Sequence, residues 1–420
     1  MKLLILTCLF LVAGATSAAI FQVNLTVQDH VDDNPGDGVC DIPTGGFCTL
    51  RAAVMEANAL AGTDIIVLPG NATIRLTRTG SNENAAVTGD LDITESVAIG
   101  TFVEDIEDFP TVDANGLSDR VFHVLSNSGL VSFLSFKIIN GSSDSNGGAI
   151  NISTGNEVEI NQVWFEDNTA NSGGAIYLSP LSELEVVGSV LVGNAAVSQG
   201  GALTIYGATD IKQSTVFENL NFNNDQQEAI FVGYDAIADS SQLTLRNSTV
   251  FDNDRTGIYA VAADVFIRNS TIANHQLGFG VAVNPGATVP ELNIRNSVFN
   301  LNNVDCSHGI IDLSVDNWNI SSDTSCLSGG STNLTEDPKL TALKVDADNW
   351  HRYYRPGFFS PVVDSAHPSA PGPGIGCEAV DQRGVMRAQD GDHNGTARCD
   401  RGAIELLDDV IYYDDFDIQY

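Results

Sequence analysis

Three tetrapeptides, Gly147-Gly148-Ala149-Ile150, Gly173-Gly174-Ala175-Ile176 and Gly200-Gly201-Ala202-Leu203, decide how this chain folds. Their glycine pairs lie 26 and then 27 residues apart, at positions 147, 173 and 200. A second element recurs between and after them: Val163-Trp164-Phe165-Glu166-Asp167-Asn168, Val190-Leu191-Val192-Gly193-Asn194 and Ser214-Thr215-Val216-Phe217-Glu218-Asn219. It continues as Asn247-Ser248-Thr249-Val250-Phe251-Asp252-Asn253, Asn269-Ser270-Thr271-Ile272-Ala273-Asn274 and Asn296-Ser297-Val298-Phe299. A period in the twenties, carried by short β-branched runs, marks a solenoid whose rungs each hold two or three strands.

Within a run the side chains alternate. In Ala175-Ile176-Tyr177-Leu178, Ile176 and Leu178 share one face and Tyr177 takes the other. One rung cannot bury its apolar face, but rungs stacked at about 4.8 Å place like on like and close a continuous core. Asparagine before each break, at 140, 168, 194, 219, 253 and 274, tolerates left-handed backbone angles and can bond its neighbours above and below. Parallel crossovers are right-handed. The expected fold is therefore all-β, a single-stranded right-handed parallel β-helix. Propeller blades need longer repeats, and sandwiches lack a fixed-period motif.

The chain has 420 residues and a net charge of −35, from 54 acidic and 19 basic side chains. Such a field excludes nucleic acid and anionic lipid as partners and favours divalent cations. Met1-Lys2, the apolar run to Ala13 and the small residues Ala15 to Ala19 read as a signal peptide over residues 1–19. No later stretch is apolar enough for a membrane span, so no membrane insertion is expected. Beyond Cys8, six cysteines fall into close pairs, Cys40/Cys48, Cys306/Cys326 and Cys377/Cys399. They are expected as disulfides, pairing by proximity, because none has metal-knuckle spacing. Nine Asn-x-Ser/Thr triplets occur, several of which the repeat explains without glycans.

A stacked coil has two open ends that need covering. Thr49 can cap a helix over Leu50–Ala59 with Leu50, Val54 and Ala57 on one stripe, and Asp64-Ile65-Ile66-Val67 reads as a first buried strand. The expected organisation is an N-terminal capping region at 20–63, the coil at 64–328 and a C-terminal capping or anchor-like region at 329–420.

The Gly-Gly-Ala-Ile and Phe-x-x-Asn elements (Phe165 to Asn168) resemble the repeats of chlamydial polymorphic outer-membrane proteins, which are surface adhesins. No membrane barrel follows here, so barrel-mediated display is not implied. The stretch Asp37-Gly38-Val39-Cys40, Cys48-Thr49-Leu50-Arg51 and Ala57-Asn58-Ala59 resembles the CSLREA-type N-terminal domain of bacterial secreted β-helix proteins. It differs in having Ala52-Ala53 where that family carries Glu-Ala. Asp381-Gln382-Arg383-Gly384 and Cys399-Asp400-Arg401-Gly402-Ala403-Ile404-Glu405 resemble the choice-of-anchor C-terminal domain. These resemblances imply export and extracellular or cell-surface residence, and name no activity.

Several candidate sites follow. Asp390, Asp392 and Asn394 have the every-second-residue oxygen spacing of a calcium loop, with Asp400 standing in for the missing twelfth-position acid. A structural calcium ion is the candidate cofactor there, against a plain polar turn. The acidic run Asp29, Asp32, Asp33, Asn34 and Asp37 is a weaker candidate. Arg246, Arg268 and Arg295 each precede Asn-Ser, forming a ladder that either pairs with acids or meets an anionic glycan. Trp350, Tyr353 and Tyr354 form an aromatic cluster that stacks on sugar or packs on the coil's C-terminal end.

No catalytic signature is present, so no catalytic residue is named. The leading expectation is a non-catalytic adhesion, surface-coat or matrix/glycan-binding role, with an extracellular polysaccharide or surface component as partner. The alternative is a polysaccharide lyase or glycoside hydrolase. Four or more carboxylates and a basic residue converging in one lateral groove would favour the enzyme.

Overall fold

The computed structural model describes residues 18–81, 83–103, 105–222, 227–234, 241–286, 289–309, 316–327, 331–346, 350–372 and 376–407. Residues 1–17, most of the segment 1–19 expected as a signal peptide, and the acidic tail 408–420 lie outside the described residues.

Alternating strands stack in register, rung upon rung. Ile150, Ile176 and Leu203 pair directly across successive parallel strands, and Ile152, Leu178 and Ile205 do the same two positions on. All six are buried, while Tyr177 between them turns outward as the pleat requires. The fold is a right-handed parallel β-helix with one capping helix.

Each rung has three principal faces. On the first face lie Glu157–Asn161, Glu183–Val187, Ala208–Lys212, Gln242–Arg246, Asp264–Arg268 and Leu292–Arg295. The second carries Val190–Val192, Thr215–Phe217, Thr249–Phe251, Thr271–Ala273 and Val298–Asn300. The third is a nine-stranded sheet running from Leu91–Ile93 through Ile176–Leu178 to Val304–His308.

Two corners are built by a division of labour between neighbouring residues. At the first, Gln213, Asn247, Asn269 and Asn296 take positive φ. The serine after each accepts the backbone N–H of the rung before: Ser189 to Ser214, Ser214 to Ser248, Ser248 to Ser270 and Ser270 to Ser297. At the second corner Asp167, Gly193, Glu218 and Asp252 take positive φ, and the following Asn168, Asn194, Asn219 and Asn253 form a buried amide ladder at 3.0 Å steps. The expectation gave both tasks to one asparagine. Asn140 and Asn274 turn the chain and donate to Asp113 and Asp252 outside the ladder, and His275 fills the ladder position between Asn253 and Asn302.

The third corner needs glycine. Gly173 has φ +66, and a Cβ on Gly174 would stand 2.1 Å from the carbonyl oxygen of Gly201.

At the N-terminal end Thr49 caps the helix Leu50–Ala59, accepting from Ala52 N. Leu50, Val54 and Ala57 are buried, and the fully buried Arg51 clasps Asp29 at 2.6 and 3.1 Å. Ile20–Gln22 pairs with Ile65–Val67, so the ladder already begins ahead of the helix. Cys40–Cys48, Cys306–Cys326 and Cys377–Cys399 form disulfides between neighbours.

The C-terminal segment runs as a strap along the side of the coil. The aromatic cluster therefore packs laterally, not on the coil's end as one expectation held. Trp350 donates from Nε1 to the Gly188 carbonyl at 2.7 Å and meets the rings of Phe109 and Trp164. Arg352 lies over the Phe217 ring, and Tyr354 meets Phe251 edge-on. Further along, Gln382 bonds both Thr215 and Thr249, Arg387 bonds Asn247, and Glu378 N bonds Asn269. Ala403 N reaches Thr271, His367 N reaches Asn296, and Arg401 reaches the Asn319 carbonyl. The outward polar atoms of the repeat thus find their partners in the strap. An uncovered second face would expose the stacked rings of Phe217 and Phe251.

Candidate functional site

The middle residue of each short strand on the third face points outward. Register makes these residues one column: Asp92, His123, Asn151, Tyr177, Thr204, Phe231 and Tyr259. The column changes character along the coil axis. Toward the C-terminal side it is largely aromatic: Tyr177, Phe231 and Tyr259 are bridged past Thr204 by the neighbouring Tyr206 at 5.8 to 6.0 Å centroid spacing, the half-buried tyrosines flanking a Phe231 that is only 6% exposed. The Tyr206 hydroxyl donates to Gln199, and Asn284 donates to the Tyr259 hydroxyl, so both phenols are held in place.

Toward the N-terminal side the column becomes acidic. A cavity of about 370 Å³ is lined by Glu83, Asp90, Asp119, Arg120, His123 and Asp144, among others. Four carboxylates and two basic side chains converge there from a loop and three successive rungs. Arg120 Nε stands 3.5 Å from Asp90 and 3.8 Å from Asp119. Asp92, fully buried, stands 3.3 Å from His123 Nδ1. The His123 Nε2 is 3.0 Å from the Ser153 hydroxyl. Burial, together with the charges of Asp92 and Asp119, pushes the Asp90 carboxyl up to about 8. The N-terminal cap sets this geometry. Arg51, held by Asp29, also donates to the carbonyls of Ala86 and Gly89 and fixes the loop that delivers Asp90.

A second acidic patch lies on the first face, around a shallower cavity of about 290 Å³ lined by Glu157, Glu159, Glu183, Glu185, Asp210 and Lys212. It meets the same residue count, yet differs physically. Glu157, Glu159 and Glu183 are exposed, and Lys212 is already paired with Glu185 and Asp210. Solvated carboxylates beside a satisfied cation are an ordinary surface. The third-face groove instead gathers the buried carboxyls of Asp90 and Asp119 around one guanidinium, with the buried Asp92 beside His123, and this makes it the candidate site.

The residues singled out from sequence are not brought together. Arg246, Arg268 and Arg295 do stack in register, half-buried. Arg246 is clamped by Asp210, whereas Arg268 and Arg295 have no ion pair among the described residues. Trp350 is 1% exposed and Tyr353 8%, their rings turned into the molecule. In the C-terminal loop, Asp390 and Asp392 gather with Asp364, their donor atoms within 4.8 Å of one another. Asp400 is not in that set: it is buried and accepts from the backbone N–H of Asp364 and Leu406. Asn394 donates from Nδ2 to Asp392, and its Oδ1 accepts from Thr396 N. Asp29 clasps Arg51, and Asp32 accepts from the backbone of Asn34 and Asp41, so that acidic run braces its own loop.

Asp90, Asp92, Arg120 and His123 were missed. Leu91-Asp92-Ile93 and Phe122-His123-Val124 show the alternation that placed Tyr177 outside. The signal was there, but these rungs lack the Gly-Gly and Asn markers that align the later ones.

Residues 236–325 match the family model described as right handed beta helix region. No curated protein matches the chain. Among solved structures, the chain is similar to pectate lyase Pel9A at 12% identity, covering 93% of this chain and 97% of that one with a TM-score of 0.46. It is also similar to a rhamnogalacturonan lyase at 12% identity, covering 79% and 94% of the two chains with a TM-score of 0.41. What the groove does rests on its own residues.

Proposed function

We propose that this protein binds an extracellular polysaccharide lengthwise along the third face. The observation that carries the reading is the outward column itself, a fixed aromatic rail leading into an acidic groove. Flat rings with tethered hydroxyls offer apolar faces to sugar rings and polar edges to their hydroxyls, and they lose little entropy on binding because they are already held. An extended chain molecule suits a site that repeats along one axis. Three disulfides are consistent with an oxidising, extracellular setting. The resemblance of both ends to exported β-helix proteins supports the same setting, as does a signal peptide at 1–19. A surface-coat or adhesion role is the biological form of this reading.

Cleavage of the bound polysaccharide is a second reading, favoured by the convergence of Glu83, Asp90, Asp119, Arg120, Asp144 and His123 at the end of the rail. Clustered carboxylates beside a cation are the equipment of acid–base attack on a glycosidic linkage. A calcium ion on Asp364, Asp390 and Asp392 belongs to this reading as a structural brace. Support comes from Asp390 Oδ1, which is buried without a hydrogen-bond partner among the described residues.

The test is affinity electrophoresis against a panel of uronate and neutral polysaccharides. At least one should retard the protein, and Tyr177→Ala with Tyr259→Ala should weaken that retention at least tenfold with the far-UV spectrum unchanged. Retention equal in wild type and double variant would overturn the binding reading. New reducing ends or unsaturated products, lost in Asp119→Asn, would establish cleavage.

A further inference from the structure

We infer that the groove's N-terminal end is a divalent metal site, with Asp90, Asp92 and His123 as ligands and a first-row transition cation of the zinc class as occupant. The inference does not depend on the polysaccharide reading, because it concerns how these three side chains stand toward one another.

Their donor atoms all lie within 4.8 Å of one another. A cluster of acids alone would mean little, but Asp92 adds an independent observation. Its side chain is fully buried, Oδ2 accepts from Ala86 N at 3.2 Å, and Oδ1 has no hydrogen-bond partner among the described residues. A bare carboxylate oxygen in that setting leaves a desolvation cost that something must offset.

His123 does not offset it as a donor. Nδ1 is 3.3 Å from Asp92 Oδ1, yet the N–H···O alignment of a hydrogen bond is absent. Two ligands of one tetrahedral ion with bonds of about 2.0–2.1 Å stand about 3.3 Å apart. On the far side of the ring Nε2 faces the Ser153 hydroxyl at 3.0 Å. A proton on Nε2, donated to that hydroxyl, leaves Nδ1 unprotonated beside the bare Asp92 oxygen, the arrangement of an imidazole ligand with its outer partner.

Charge argues the same way. Among the described ion pairs Asp90 and Asp119 share one guanidinium, that of Arg120, whose Nε is itself without a hydrogen bond, and Asp92 has only the His123 ring beside it. The donor set selects the ion. Calcium takes six to eight oxygens and seldom imidazole, whereas zinc and its neighbours accept a mixed nitrogen and carboxylate set and leave a position open for water or a sugar hydroxyl. The groove supplies that opening.

The test uses the full secreted chain, stripped of metal by dialysis against chelator. Titration with Zn2+ should show one site that persists in excess Ca2+, and Co2+ at that site should give visible absorption bands of a nitrogen-containing, low-coordinate ion. His123→Gln should remove the site, and Ser153→Ala, which touches no ligand atom of the metal, should weaken it by about 10–100-fold. Asp390→Asn, in the other acidic cluster, should leave it unchanged. The inference falls if wild type and His123→Gln bind Zn2+ with equal stoichiometry and affinity, or if bound Co2+ shows only the spectrum of the hexa-aqua ion. Should His123→Gln fail to fold, the Ser153→Ala affinity and the wild-type Co2+ spectrum decide.

Discussion

At the scale of single residues, the inner amide ladder shows how one substitution within a repeat changes behaviour. His275 occupies an asparagine position, taking Asn302 on one ring nitrogen and Asn253 on the other. Complete burial lowers its pKa from 6.5 to about 4. The unfolded chain gains a proton below 6.5, and the folded one resists it until about 4. Stability contributed by neutral His275 is therefore full above pH 6.5 and is lost as pH falls toward 4, a loss on the order of 3 kcal/mol. Urea midpoints at pH 7 and pH 5 should fall further apart in wild type than in His275→Asn, which restores the amide. Equal pH slopes would show that His275 is protonated without cost. This position also shows what a sequence discloses. The Asn-to-break pattern was legible, but its register was one residue off at Asn140 and Asn274, because left-handed geometry and ladder bonding both favour asparagine. Only coordinates separate the residue that turns from the residue that bonds.

At the scale of elements, the strap is held by pairs that sequence motifs mark without explaining. Arg387 and Glu405 form an ion pair with both side chains fully buried. Glu405 also accepts from the backbone N–H of Ala388, Gln389 and Asp400, and Arg387 reaches across to Asn247 on the coil. Removing one partner strands a buried charge, at a cost of about 3–5 kcal/mol. Arg387→Met should accordingly lower the melting temperature more than the double variant Arg387→Met/Glu405→Gln does, and a larger drop in the double variant would refute the pairing. The helix cap, the strand alternation and the three disulfides were legible because each is encoded within a few neighbouring residues. The strap's course was not, since Thr215, Asn247 and Thr271 look like solvent-facing repeat residues until Gln382, Arg387 and Ala403 arrive from far along the chain.

For the whole molecule, that course decides which surface is open. Among the described residues no helix is long and apolar enough to cross a membrane. Three of the nine Asn-x-Ser/Thr triplets place their asparagine out of reach: Asn247 is 5% exposed, Asn269 1% and Asn319 0%. Expressed through a eukaryotic secretory route, the folded protein should carry no glycan at these three, as peptide mapping would show. A glycan added to the nascent chain would bar the seating of the strap, so sugar on Asn269 in the folded fraction would overturn this burial. The strap's bonds among the described residues, by contrast, go to the second face and its corners, and the acidic groove of the third face went unread because the alternation at Asp92 and His123 carries none of the markers that align the later rungs.

Seating the strap has a consequence for the order of events in folding. A rung needs only the two dozen residues before it, so the coil can grow as the chain emerges. The hydrogen bond from Trp350 to Gly188 spans 162 positions, and that from Gln382 to Thr215 spans 167. Loops of that length close late and slowly compared with rung addition. The nascent molecule therefore passes through a stage with its rungs complete and the rings of Phe217 and Phe251 still bare, and during that interval chaperones or sister chains have their best opportunity to capture it.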